Sequence, residues 1–241
     1  MSVLGISLAL GVVTALAILA GGLIVAARPW SRTVLAYFIA LGSGFMLATA
    51  VLEMMPVSLQ LAPKLAPFLI LVGYFIVHFF EHSLPAHFHF GEETHHDAFV
   101  DPRTVYAAMG GLLVHNFFDG VAIAAGFLVS AWLGWIVFGA IVVHSLPEGF
   151  TIASIMAAAR KSRRAGTLAA GALGLSRIVG ILVMASMVQY VEYGLPISAG
   201  VTIYVAASDL IPEVNKMGGV KIPMAVALGV MVVVLLHMFL H

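Results

Sequence analysis

From Met1 to Ala27 the chain reads MSVLGISLALGVVTALAILAGGLIVAA, without one charged side chain. At 1.5 Å of rise per residue, an apolar helix of about 25 residues crosses the roughly 30 Å hydrocarbon layer of a bilayer. The run has no basic start of the signal-peptide kind and is long enough to span rather than be cleaved, so it is read as a first transmembrane helix. The rest of the chain agrees. It is 62% hydrophobic and 9% charged, with a mean hydropathy of +1.09, and no water-soluble fold of 241 residues covers itself with so little polar surface. The absence of cysteine excludes disulfides, thiolate ligands and iron–sulfur clusters. A formal net charge of zero excludes little more.

Eight spans follow along the sequence, at about 3–27, 34–59, 66–84, 104–129, 133–159, 167–190, 195–215 and 220–240, broken at RPWSR, QLAPKLAP, the polar stretch 85–103, SAWLGW, RKSRRAG, EYGLP and KMGGVK. Their length indicates helices, because barrel strands need only about 10 alternating residues. The small residues of LGSG and AAGALGLS suit close helix packing in lipid. The expected fold class is therefore an all-α integral membrane protein, one polytopic domain over 1–241. If the connections after spans one, three, five and seven face the cytoplasm, that side holds Arg28, Arg32, Arg103, Arg160, Lys161, Arg163, Arg164, Lys216 and Lys221, against Lys64 on the other. This bias orients the chain in a cell membrane, inner or plasma, with both termini extracytoplasmic.

Two nearly identical phrases, VHNFFDGVAIA and VHSLPEGFTIA, place histidine and carboxylate inside the fourth and fifth spans. Ionisable groups near the bilayer centre cost a few kcal/mol each and normally serve a pathway or site. His115 and Asp119 are four residues apart, as are His144 and Glu148, so each pair shares one helix face. Facing each other, the two helices gather two imidazoles and two carboxylates, a ligand set for Zn²⁺ and neighbouring divalent ions. Pro147 cannot donate to the carbonyl of Val143 and frees a backbone oxygen beside His144. The alternative is that the pairs are hydrogen-bonded glue between helices.

Two further phrases match each other at opposite ends of the chain. VLEMMP ends span two and ASDLIPE ends span seven, each with a carboxylate three residues before a proline: Glu53 with Pro56, Asp209 with Pro212. On the derived topology Glu53 lies near the outer mouth, and Asp209 and Glu213 near the inner one. Matched motifs on opposite faces are expected of an inverted repeat, with spans one to three mirroring six to eight around the central pair. Helix ends rich in acid and proline are the plainer explanation.

HNFFDG and HSLPEG resemble the fourth- and fifth-helix signatures of the ZIP (Zrt/Irt-like) divalent metal transporters, and the eight-span pattern with both ends outside is similar across essentially the whole chain. The resemblance implies a mid-membrane metal site on helices four and five, with His115, Asn116, Asp119, His144 and Glu148 as its positions. It implies transport toward the cytoplasm, a homodimer, and an elevator-like motion of one helix group against another. Met46 is similar in placement to a second-helix methionine that approaches the metal in some members. Arg177, in GLSRIVG, departs from the family, many of whose members complete a second metal site with a sixth-helix glutamate there; Ser145 is likewise a poor ligand. A guanidinium in that place acts as a fixed surrogate for the missing cation, which implies one metal rather than two. The bland reading of Arg177 is a side chain reaching toward an interface.

The cytoplasmic stretch around 85–103 is His-rich, with His78, His82, His87, His89, His95 and His96 in and before it. Such tracts bind divalent metal, and the family's loop between spans three and four suggests capture after transport; a plain connector is the other reading. The transported substrate is expected to be Zn²⁺, with Cd²⁺, Fe²⁺, Mn²⁺ and Co²⁺ served by the same ligand types. The expected partners are the metal ion and the lipid bilayer, with no nucleic acid. The competing function is a zinc-dependent intramembrane hydrolase, in which a permanently held ion activates water. Duplicated motifs, a proline-broken helix and carboxylates at both mouths suit an ion that passes through instead.

Overall fold

The computed structural model describes residues 2–27, 32–82 and 102–240. Every regular element among them is helical. They are α1 (Val3–Ala27), α2 (Arg32–Thr49), α3 (Ala66–His82), α4 (Pro102–Val129), α5 (Ala131–Ala158), α6 (Arg163–Ser186), α7 (Val191–Ile203) and α8 (Lys221–Leu240). Two of these rods run on. The α2 helix passes through a π-helical turn, Ala50–Met54, into the helix Met55–Leu61; α7 passes through another, Tyr204–Leu210, into Ile211–Asn215. Among the described residues, seven stretches are long and apolar enough to cross a membrane, and α3 supplies a shorter apolar helix over Ala66–Phe80. Large apolar side chains such as Leu16 and Leu23 of α1, and Leu228 and Met231 of α8, stand exposed, as a lipid-facing surface requires.

Two expected breaks move. SAWLGW is not a loop. Ser130 alone separates α4 from α5, extended at φ −159 and ψ 154, with its side chain accepting from the Leu133 N–H at 3.1 Å. That cap carries Trp132 and Trp135 into the helix. The EYGLP break is also misplaced: the chain interrupts α6 at Met187, enters a 3₁₀ turn at Val188–Tyr190, and then carries Pro196 inside α7. A proline within a membrane helix is tolerated because neighbouring groups satisfy the freed carbonyl.

Eight glycines set how the helices dock. A Cβ on Gly44 would overlap the Val226 carbonyl, and one on Gly229 the Leu41 carbonyl, joining α2 to α8. The same reciprocal contact joins α3 to α7 (Gly73 with Ile197, Gly200 with Ile70), α4 to α6 (Gly120 with Arg177, Gly180 with Phe117) and α1 to α5 (Gly21 with Leu146, Gly149 with Ile18). In every pair each glycine meets the carbonyl of the residue three before its partner glycine. Backbones this close gain van der Waals contact that lipid cannot replace. Together with the broad packing of α1 on α6, and of α2 and α7 each on the other's π-helical turn, these pairs sort the helices into one group of α1, α4, α5 and α6 and another of α2, α3, α7 and α8.

The second group repeats a register. From Gly44 to Glu53, Pro56 and Gly73 the steps are 9, 12 and 29 residues, and from Gly200 to Asp209, Pro212 and Gly229 they are the same. Both carboxylates also fall within the π-helical turns.

Candidate metal centre

The α4–α6 glycine contact sets the Arg177 backbone against Gly120, immediately after Asp119, and the four-residue spacing of each motif aligns imidazole with carboxylate. The result is a cluster from three helices of the first group. His115, Asp119, His144 and Glu148 are all buried, and each offers one ligand atom such that the four lie within 4.8 Å of one another. The two imidazole rings are tilted at a centroid distance of 5.5 Å. Asp119 Oδ2 is 3.4 Å from His115 Nε2 and 3.2 Å from His144 Nε2. A cavity of about 10 Å³ lies alongside, lined by Ile39, His115, His144, Pro147, Val205 and Leu210, enough for one water-sized occupant.

The hydrogen bonds fix several orientations. His144 Nδ1 lies 2.9 Å from the Ala140 carbonyl; a carbonyl only accepts, so Nδ1 donates to it, and this backbone contact orients the ring with Nε2 toward Asp119 Oδ2, as backbone carbonyls orient metal-binding imidazoles. Asn116 Nδ2 donates to the Leu112 carbonyl at 2.8 Å and to Glu148 Oε1. Both neighbours are acceptors, so the amide cannot be turned round, and Asn116 Oδ1 is left without a hydrogen-bond partner among the described residues. Neither ring nitrogen of His115 has a hydrogen-bond partner among the described residues. Buried polar atoms left unpaired are costly, and a cation gives an imidazole nitrogen and an amide oxygen the partner they lack.

Arg177 is wholly buried and binds both carboxylates, from Nη2 to Asp119 Oδ2 at 2.8 Å and to Glu148 Oε2 at 3.1 Å, while Nη1 donates to Ser145 Oγ at 2.7 Å. Ser145 in turn donates to the Ile141 carbonyl at 2.6 Å, so its hydroxyl is committed to the arginine and the backbone. The guanidinium thus faces the cluster from the α6 side and not toward the bundle surface.

The other expected residues lie apart from this cluster. Met46 is fully buried in the apolar cluster that also contains Ile39, Val205 and Leu210. Glu53 is buried at the far end of the α2 rod, and Asp209 is buried in the π-helical turn after α7. Glu213 forms an ion pair with Lys216 at 2.7 Å. His78 stacks on Tyr74 at 6.5 Å and meets Tyr204 edge-on at 5.8 Å. His82 closes α3; its side chain, and the whole of His87, His89, His95 and His96, lie outside the described residues.

Two partners of Glu53 escaped the sequence reading. The Trp132 indole donates to Oε2 at 3.0 Å, and His237 Nδ1 lies 2.8 Å from Oε1. Serine followed by a helix-forming run was the available signal for Trp132 as a helical residue; nothing local to His237 pairs it with a residue 184 positions away.

A bundle of membrane-length helices with imidazoles, carboxylates and an unpaired amide oxygen gathered at its buried centre defines a polytopic membrane protein built to handle a cation. Residues 103–237, more than half of the chain, match the family described as ZIP Zinc transporter. The chain belongs to that family, whose members are transporters of divalent metal and not enzymes. No curated protein matches the chain.

Proposed function

We propose that the protein carries divalent transition-metal ions, zinc foremost, across a cell membrane into the cytoplasm by alternating access, holding one ion at a time between α4 and α5. The observation that carries this reading is the set of four buried donor atoms within 4.8 Å, combined with the lack of any hydrogen-bond partner, among the described residues, for the ring nitrogens of His115 and for Asn116 Oδ1. Imidazole nitrogen and carboxylate oxygen suit Zn²⁺ and, by the same ligand types, Cd²⁺, Fe²⁺, Mn²⁺ and Co²⁺. His115, Asp119, His144 and Glu148 are the ligands in this reading, Asn116 adds an amide oxygen, and Met46 enters on the family resemblance alone as a softer contact. Arg177 takes the place of a second ion, since its charge already balances one of the two carboxylates.

Several features support an eight-span topology. The α3 helix, at 17 residues, is about 26 Å long, close to the hydrocarbon thickness, and the basic residues of the connections favour termini outside. The equal register of Glu53, Pro56 and Gly73 with Asp209, Pro212 and Gly229 supports an inverted repeat, because unrelated helix ends would not hold 3 separate spacings in common. Among the described residues the reciprocal glycine pairs all lie within a group, while glycines that cross between the groups meet side chains, as Gly194 meets Met184 and Gly139 meets Phe45. Such a division suits an elevator-like displacement of the group holding the ion. Ions then pass Glu53 on the way in and Asp209 and Glu213 on the way out, with the His-rich stretch after α3 capturing them in the cytoplasm. A homodimer rests on the family resemblance alone.

Metal flux into vesicles holding the purified protein tests the reading. Saturable uptake should fall to background in His144→Ala and in Glu148→Ala; undiminished flux in both would remove the site. A metal-soaked crystal structure should show one ion between α4 and α5, and a second ion beside Arg177 at full occupancy would overturn the single-ion arrangement.

A further inference from the structure

Glu53 is a second buried carboxylate in unusual company. It lies 3% exposed in the π-helical turn Ala50–Met54, a form concentrated at functional sites. Each carboxylate oxygen has its own partner: Trp132 Nε1 on Oε2 at 3.0 Å and His237 Nδ1 on Oε1 at 2.8 Å. No lysine or arginine pairs with it among the described residues. A buried carboxylate normally requires a matching charge, and Asp119 and Glu148 obtain theirs from Arg177. Glu53 has an indole, which only donates, and an imidazole, which also ligates metals. The His237 side chain is 44% exposed, so this end of the carboxylate can be approached from outside the bundle.

We propose that Glu53 and His237 form a docking site for a divalent transition-metal ion, separate from the central cluster, and that Trp132 is the latch which docking releases. The distances suit it. Zinc-to-nitrogen and zinc-to-oxygen bonds of about 2.0–2.2 Å in a tetrahedral shell set neighbouring ligand atoms roughly 3.3–3.6 Å apart, so the present 2.8 Å gap needs to open by about half an ångström or slightly more as the ion replaces the shared proton. The ion draws the carboxylate toward His237, and the indole N–H, having no lone pair to offer, loses Oε2. Trp132 stands in the first turn of α5, within the group that holds the central cluster, whereas Glu53 and His237 belong to the α2 and α8 rods of the other group. Docking therefore breaks a hydrogen bond between the two groups at the end where α5 begins. That this end is the uptake face rests on the transport reading; the docking itself does not.

The test is a Zn²⁺ or Cd²⁺ titration of the purified full-length protein, following the fluorescence of Trp132 as the difference from Trp132→Phe. A saturable change is expected, retained in His144→Ala and weakened at least about tenfold in both His237→Gln and Glu53→Gln. Because His237 is partly exposed, its variant reports even if Glu53→Gln folds poorly. A change that persists unaltered in His237→Gln, that disappears in His144→Ala, or that is absent from the parent protein overturns the proposal. Failure of vesicle flux with the titration intact would instead remove the transport reading and leave the docking site standing.

Discussion

At the scale of single residues, the balance of charge around Asp119 and Glu148 decides what the site tolerates. Arg177 contributes hydrogen bonds to both carboxylates and to Ser145. Removing one partner of a buried ionic cluster leaves charge without compensation, a loss of about 3–5 kcal/mol. Arg177→Met should therefore lower the unfolding temperature in detergent markedly. Divalent metal should recover much of that loss, because an ion supplies the charge the arginine withdrew; a variant as stable as the parent without metal would show that the guanidinium does not hold the cluster together. The sequence disclosed the His and carboxylate pairs because four-residue spacing is a local property of a helix. It did not disclose that Asn116 spends its amide nitrogen on Glu148, since that contact depends on how α4 and α5 are rotated. Trp132 and His237 were invisible beside Glu53 for a related reason: 79 and 184 residues separate them from it, and only the folded bundle removes that distance.

At the scale of helices, docking depends on where a side chain is missing. Of 24 glycines, eight form the reciprocal contacts, while Gly110 of α4 has nothing within 4 Å of where its Cβ would stand. Alanine should therefore act with opposite sign at two positions. Gly110→Ala stabilises by up to about 1 kcal/mol through helix propensity, whereas Gly149→Ala forces α5 away from α1 and destabilises by about 1–3 kcal/mol; thermal unfolding of the two variants in detergent measures the contrast. The sequence gives a glycine the same letter in both settings, which is why LGSG could be read as packing without revealing its partner. Punctuation misled in the same way. EYGLP looks like a turn because proline and glycine break helices in water, but surrounded by other helices Pro196 is carried within α7.

At the scale of the whole molecule, the cluster carried by α4, α5 and α6 has an electrical consequence. Two carboxylates and one guanidinium give the empty site one formal negative charge, and a divalent ion turns it to one formal positive charge. If the group holding the site is what crosses, a membrane potential of 100 mV acts with about 2.3 kcal/mol on each elementary charge carried through the full field. It drives the loaded passage inward and the empty return outward with equal force, so that neither half of the cycle bears the whole voltage dependence. Arg177→Gln redistributes this: the loaded site becomes neutral and the return journey carries both charges. Vesicles clamped at different potentials should show a voltage-dependent loaded step in the parent protein and a flat one in the variant. An arginine fixed in place of a second ion would in this way make the protein a carrier whose two strokes are driven alike.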